Sequence, residues 1–309
     1  MKILHVWDQA GVAGVMAKYQ RKLGIEVSVI KRDGFNGLGI DDFYGTMKVV
    51  KLPRISDPLR QPVERRIYLS LPRSLRKLVK RAIRAHRALK FYVEVARQSR
   101  RYDLLHIHSV YLACLFAPFK KKIIEFHGDD IRRYPSKRSV LSRRIQRAAV
   151  SFVRLFSDGI YVSTPDLLNE VSGEWIPNPV DTEHFSPTRF RFPKTALYIR
   201  NWYETSENAE KIATEHGWRL SILDRAHNVV IPYKRMPEFL SRFEYFIDRH
   251  LIKSLSKTAI EALALGLKVV KWDGEVVDHL PEAHKPENVA RLTCQIYREK
   301  LGLLNDQLE

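Results

Sequence analysis

The sequence predicts an α/β protein built from two doubly wound, Rossmann-like domains that face each other across a cleft. Three observations carry that expectation. Short apolar runs alternate with amphipathic helical patterns along the chain, the mark of parallel sheets with helices on both faces. The 309 residues suffice for two separate cores, and an apolar content of 45% is that of a chain that folds. Midway, Pro177, Pro179 and Pro187 stand among the turn formers Asn178, Asp181 and Ser186, which reads as a stiffened hinge.

The first half opens on a strand, Ile3–Trp7, and a helix, Gly14–Leu23. Strands follow at Glu26–Ile30 and Met47–Val50. A long helix then covers Ser74–Gln98, where Leu75, Leu78, Val79, Ala82, Ile83, Leu89, Val93 and Ala96 keep helical spacing. Its other face carries Arg76, Lys77, Lys80, Arg81, Arg84 and Arg87. Leu104–His108, Ile123–Phe126 and Gly159–Val162 complete the first sheet, with helices at Tyr111–Phe116 and Ser139–Phe156. The second half repeats the theme. Strands are expected at Leu197–Arg200, Leu220–Leu223, Val229–Ile231, Tyr245–Asp248 and Lys268–Lys271, and helices at Glu207–His216, Thr258–Leu265 and Pro286–Leu301. The domains are placed at 1–185 and 186–309, the last helix being able to pack back on the first. Ligands of such sheets bind outside the C-terminal strand ends, hence in the cleft.

Composition narrows the function. Two cysteines without C-x-x-C spacing argue against a disulfide framework or a zinc site and suit a reducing cytosol. The chain opens as a strand rather than a signal peptide, and Val110–Phe119, the longest apolar stretch, is half a membrane span. A soluble or peripheral protein is expected. The net charge is +18, and residues 1–190 hold 35 Lys+Arg against 18 Asp+Glu, so almost all the excess belongs to the first domain. No nucleic-acid module accompanies it.

Chemistry-bearing stretches recur at strand ends. Gly11 and Gly14 follow the first strand, where glycine lets backbone approach a ligand, although an ordinary strand-to-helix turn uses them equally well. The loop does not match the six-position dinucleotide fingerprint, which argues against a nicotinamide enzyme. His108 ends one strand as a cleft-lining or packing residue. His127 follows another and precedes Gly128-Asp129-Asp130, whose acids suit an acceptor hydroxyl or a helix cap. In the second half, Ser256, Lys257 and Thr258 open a helix that carries Glu261 one turn in. Unpaired amides at a helix start suit a diphosphate, and a carboxylate there can accept both ribose hydroxyls. Glu261 is equally a plain early-helix acid when read alone. No His, Cys or carboxylate group shows metal-ligand spacing, and no D-x-D triplet occurs.

Four of these stretches, in this order, resemble the retaining family-4 glycosyltransferases (glycosyl transferases group 1) of the GT-B fold, over nearly the whole chain. They are Tyr102-Asp103-Leu104-Leu105-His106-Ile107-His108-Ser109, Phe126-His127-Gly128-Asp129-Asp130, Trp175-Ile176-Pro177-Asn178-Pro179-Val180-Asp181 with Phe185, and Ser256 to Val270 around Glu261. The resemblance implies transfer from a nucleoside-diphosphate sugar (UDP or GDP) to a lipid-linked or other membrane-surface acceptor, with retention and without metal or other cofactor. It makes Glu261 the ribose ligand, Arg200 a diphosphate ligand, and His127 the group beside the donor sugar that steadies developing positive charge. Base-reading residues fall near Val230-Ile231-Pro232-Tyr233. Two positions depart from the pattern. Lys253 replaces a glutamate eight residues before Glu261, and Thr205 replaces a lysine five residues after Arg200. Either Lys253 or Lys257 supplies the missing charge, or the lysines face solvent and the sugar preference has changed. The basic helices fit an anionic membrane, at about 1 kcal/mol per facing cation, which places the protein in the cytoplasm, peripheral on the inner membrane face. A non-catalytic sugar-nucleotide binder, an epimerase of the same fold and a nucleic-acid-binding protein are the alternatives.

Overall fold

The computed structural model describes residues 1–32, 38–48, 70, 72–128, 130–132, 140–187, 191–201, 203–224 and 231–303. Strands β1 (Lys2–Val6), β2 (Glu26–Lys31), β3 (Met47–Lys48), β4 (Leu104–His108), β5 (Lys121–Phe126), β6 (Gly159–Val162) and β7 (Glu174–Trp175) form one sheet, parallel throughout. Its order is β3-β2-β1-β4-β5-β6-β7, so it reverses between β1 and β4. Helices α1 (Val12–Lys22), α2 (Ile40–Phe43), α3 (Arg73–Ser99) and α4 (Val140–Arg154) belong to this half of the chain.

Period-2 side-chain alternation divides the sheet's two faces. Leu4, Val6, Leu105, Ile107, Ile124 and Phe126 pack with Phe91 and Val95 of α3 and Val150 and Val153 of α4. Ile3, Leu104 and Ile123 pack on the opposite face with Val12, Ala13 and Met16 of α1. That second face is closed by Val289, Ile296 and Tyr297 of the last helix, which therefore packs on the first sheet.

The second sheet contains β8 (Phe192–Arg200), β9 (Arg219–Asp224), β10 (Phe243–Ile247), β11 (Lys268–Val270) and β12 (Val276–Val277), in the order β12-β11-β10-β8-β9. All its pairings are parallel except that of β11 with β12. Helices α5 (Glu207–Glu215), α6 (Met236–Leu240), α7 (Lys257–Ala264) and α8 (Pro286–Lys300) complete the described set. Leu197, Ile199, Phe246 and Val269 pack with α6 and α7, while Ala196, Tyr198 and Ile247 meet Ala209 and Ala213 of α5. The two halves share one apolar cluster, in which Val15, Tyr19, Ile40 and Tyr44 meet Phe185, Tyr233 and Ile260.

Most expected elements are present. Residues 49 and 50 of the third expected strand, 229 and 230 of another, and 139 at one helix start lie outside the described residues. The helix expected at 111–116 is present as a 3-10 helix. One expectation changes. The apolar stripe expected of the long helix is not core: Leu75, Leu78, Ala82, Leu89 and Val93 face solvent and Val79, Ile83 and Ala96 are half-buried, whereas the helix buries Phe91 and Val95, which lie outside that stripe.

Candidate functional site between the sheets

The candidate site lies at the C-terminal strand ends, where the loops after β1, β4, β5, β8 and β10 gather. Backbone strain concentrates there. Trp7, Ala10 and Ser109, three of the four non-glycine residues with positive φ among the described ones, follow β1 or β4.

On the second sheet, β10 ends in Asp248, a buried carboxylate that accepts from the backbone N–H of Ser256 at 2.8 Å and of Arg249 at 2.9 Å. This brace folds the 249–256 turn back onto the start of α7. Ser256 caps the helix, its Oγ accepting from Ala259 N at 3.0 Å. Among the described residues no protein acceptor engages the N–H groups of Lys257 and Thr258, which are thus open at the helix start. Glu261 is buried behind them. Lys257 Nζ donates to the Pro179 carbonyl at 2.8 Å and lies 3.3 Å from Glu261 Oε1, tying hinge, helix and carboxylate together. Lys253 is exposed on the same turn. Arg200 at the end of β8 is ion-paired with Asp224 at the end of the edge strand β9, and Thr205 is exposed.

The turn faces the first half of the molecule. Burial pushes the Asp166 carboxyl up, but Arg132, at 2.9 Å, and the Thr164 and Ser254 hydroxyls hold it below the usual carboxylate range. Ser254 thus meets a residue of the opposite lobe. Arg132 in turn lies over Gly128, where a Cβ would come 2.3 Å from its Nη1, and the φ of +119° there favours glycine. Arg249 donates to Ser254 Oγ at 3.3 Å, adding a second guanidinium beside the turn. Arg132, Asp166, Asp248 and Arg249 form no sequence motif; only the fold brings them together.

His127 follows β5 with its ring almost wholly enclosed. Its Nε2 lies 3.0 Å from His108 Nδ1 and 3.6 Å from Glu125 Oε1. Burial lowers the His127 pKa, with Glu125 opposing, and raises that of Glu125 to about 7. Several expected roles change on inspection of the neighbours. His108 is fully buried and bonded on both ring nitrogens, so it supports the site rather than lining it. Asp130 accepts from the backbone N–H of His127 at 3.1 Å and of Gly128 at 2.7 Å, which makes it a brace for that turn; Asp129 lies outside the described residues. A Cβ on Gly14 would lie 2.7 Å from the Tyr44 ring, and one on Gly11 3.1 Å from Ile40, so these glycines admit α2 rather than a ligand.

Of the stretch expected to read the base, Ile231 and Pro232 line a cavity of about 250 Å³ with Arg235, Glu238, Phe239 and Arg242, while Tyr233 is buried and 230 is not described. Although the sequence shows no metal-ligand spacing, adjacent strands bring His5, His106 and His108, and His108, Glu125 and His127, within 4.8 Å of one another. The closest nitrogen pairs, 2.8 and 3.0 Å apart, match N–H···N hydrogen bonds. They are shorter than the edge of about 3.3 Å that Zn–N bonds near 2.0–2.1 Å impose on a tetrahedron.

No protein-family model and no curated protein matches the chain. Solved structures do. The sucrose-phosphate synthase of Thermosynechococcus elongatus aligns over 98% of this chain and 100% of its own, at 12% identity and a TM-score of 0.56. The chain has the GT-B fold. The UDP-N-acetylglucosamine 2-epimerase of Rickettsia bellii aligns over 100% and 99%, at 9% identity and a TM-score of 0.50. At such identities the shared property is the GT-B architecture, two parallel-sheet lobes with their strand ends opposed.

Proposed function

We propose that this GT-B protein transfers a sugar from a nucleoside-diphosphate sugar to an acceptor at an anionic membrane surface, with retention and without metal. The observation that carries the reading is the start of α7: two open amides and a buried carboxylate on a turn that meets the opposite lobe at Asp166. In this reading the Lys257 and Thr258 amides take the diphosphate, Glu261 takes the ribose, and Arg132, Arg249 and Lys253 supply positive charge as the leaving group departs. His127 stands beside the transferred sugar.

Charge and exposure support the membrane side. In α3, Lys77, Arg81 and Arg84 are exposed and Arg76 and Arg87 half-buried; the Lys80 side chain is not among those described. Exposed Leu75, Leu78, Leu89 and Val93 share that helix, and Ile145, Phe152 and Leu155 are exposed on or just after α4. Cations with exposed apolar residues are the composition of an interfacial helix. No described helix is long and apolar enough to cross a membrane.

A second reading has its own observation. Arg200 is held by Asp224 and Lys257 by Glu261, so two expected donor cations are occupied by protein carboxylates, as in a sugar-nucleotide binder without turnover. A thermal-shift panel of UDP- and GDP-sugars followed by turnover assays separates the two. Transfer predicts a Tm rise with one nucleotide class and slow donor hydrolysis. In that case Lys253→Ala with Lys257→Ala weakens donor binding by roughly tenfold or more. Binding without hydrolysis or transfer on any lipid fraction supports the second reading, release of an epimerised donor assigns an epimerase, and no shift with any sugar nucleotide overturns the proposal.

A further inference from the structure

Beneath α1 and α8, the polar members of one sheet face form a continuous buried row: His5, His106, His108 and Glu125, with Gln20, Thr293 and Tyr297 above them. The transfer reading uses only His127, at its end. The directions of the hydrogen bonds in this row are linked, each following from the one before. Thr293 Oγ1 lies 2.9 Å from the carbonyl of Val289 and 3.1 Å from that of Ala290, and with its single hydroxyl proton given to either it accepts from Gln20. The 2.8 Å contact between Thr293 Oγ1 and Gln20 therefore identifies the Gln20 NH₂, and turns the amide oxygen toward His5.

Each following step then has one solution. His5 donates from Nε2 to Gln20 Oε1 at 2.9 Å. A neutral imidazole carries one N–H, so His5 Nδ1 accepts, at 2.8 Å, from His108 Nε2. His108 Nδ1 accepts in turn, at 3.0 Å, from His127 Nε2. All three rings are kept neutral by burial, which lowers their pKa values. The second amide hydrogen of Gln20 points at Tyr297 Oη, 3.2 Å away, whose hydroxyl donates to His106 Nδ1 at 2.7 Å. His106 is then protonated on Nε2, 2.9 Å from Glu125 Oε2.

We propose that Gln20 is a positioning residue: through His5 and His108 it holds His127 in the Nε2–H tautomer, leaving Nδ1 as the lone-pair nitrogen that accepts a hydrogen bond from a substrate hydroxyl. This rests on the reading of His127 as part of the transfer site. The order originates in α8, because Thr293 fixes the orientation of the amide.

Nitrogen-15 spectra of histidine-labelled full-length protein test it directly. In the wild type, His127 shows a protonated Nε2 and an unprotonated Nδ1. Gln20→Leu removes the acceptor and yields mixed His127 tautomers, with donor turnover down by roughly tenfold or more and donor KM unchanged. An Nδ1–H His127 in the wild type, an unaltered spectrum in Gln20→Leu, or stoichiometric zinc on His108 and His127 overturns the proposal. If no donor is ever turned over, the transfer reading fails, while the wild-type and Gln20→Leu spectra still decide whether Gln20 sets the His127 tautomer.

Discussion

At the scale of single residues, packing decides what glycine and tyrosine do near the first strand end. Tyr44 Oη donates to Asp181 Oδ2 at 3.1 Å and pairs with Tyr233 Oη at 2.9 Å. Asp181 is fully buried and also holds Lys18 at 2.8 Å. The Tyr44 ring thus cannot swing aside without breaking bonds that join α2, the hinge and the second lobe. Gly14→Ala is accordingly expected to destabilise the protein by about 1–3 kcal/mol, as overpacking does, measured by urea denaturation. In Gly14→Ala combined with Tyr44→Ala the clash is absent, so the double variant should be more stable than the sum of the single effects predicts. Additive costs would show that Tyr44 yields after all. The sequence displays Gly11 and Gly14 as glycines near a strand end, but the residues that fill their space, Ile40 and Tyr44, lie some 30 positions away in and just after a helix of four residues, too short to leave a periodic signal.

At the scale of elements, long periodic segments were legible and short ones were not. Buried strands such as β4 and β5 are continuous apolar runs broken by His or Glu, and they stand out beside amphipathic helices. The two-residue β7 and β12 and the five-residue α6 carry no such pattern. Periodicity predicted α3 as a helix but not which side of it is covered: Leu78 of the expected stripe remains 60% and Val93 56% exposed, while the buried Phe91 and Val95 lie outside that stripe. That exposure gives the helix its expected behaviour. The protein should pellet with vesicles containing anionic lipid at low salt and be released at high salt, since the attraction is screened within about 10 Å at 0.1 M. Replacing Arg76, Lys77, Arg81 and Arg84 by Glu removes four favourable cations, each worth about 1 kcal/mol at the surface, so binding should weaken by roughly a hundredfold or more. Equal pelleting of wild type and variant, or none by either, would mean that this face meets no membrane.

At the scale of the whole molecule, the polar row joins the ends of the chain: Gln20 lies 273 positions before Thr293, and His106 191 before Tyr297. A sequence shows the His-x-His spacing but not which helix covers it, so the site's support was invisible while its motif was not. The row also governs pH dependence. His5, His106, His108 and His127 are buried and neutral, each with its pKa lowered first by desolvation. In the unfolded chain they titrate near 6.5, so below that pH the unfolded state binds more protons and stability falls as pH falls. Glu125 has the opposite sign. Burial raises it to about 7, so between its ordinary value and 7 the folded state holds the extra proton and offsets one histidine. Urea stability should therefore decline from pH 7.5 to 5.5, and Glu125→Gln should steepen the decline by up to about 1.4 kcal/mol per pH unit, the contribution of one proton. A flat profile would mean that the folded state takes up protons as readily as the unfolded chain, through charged histidines or through buried carboxyls such as Asp8, raised by burial to about 6. An unchanged slope in Glu125→Gln would instead place Glu125 ionised throughout, with His106 carrying the balancing charge.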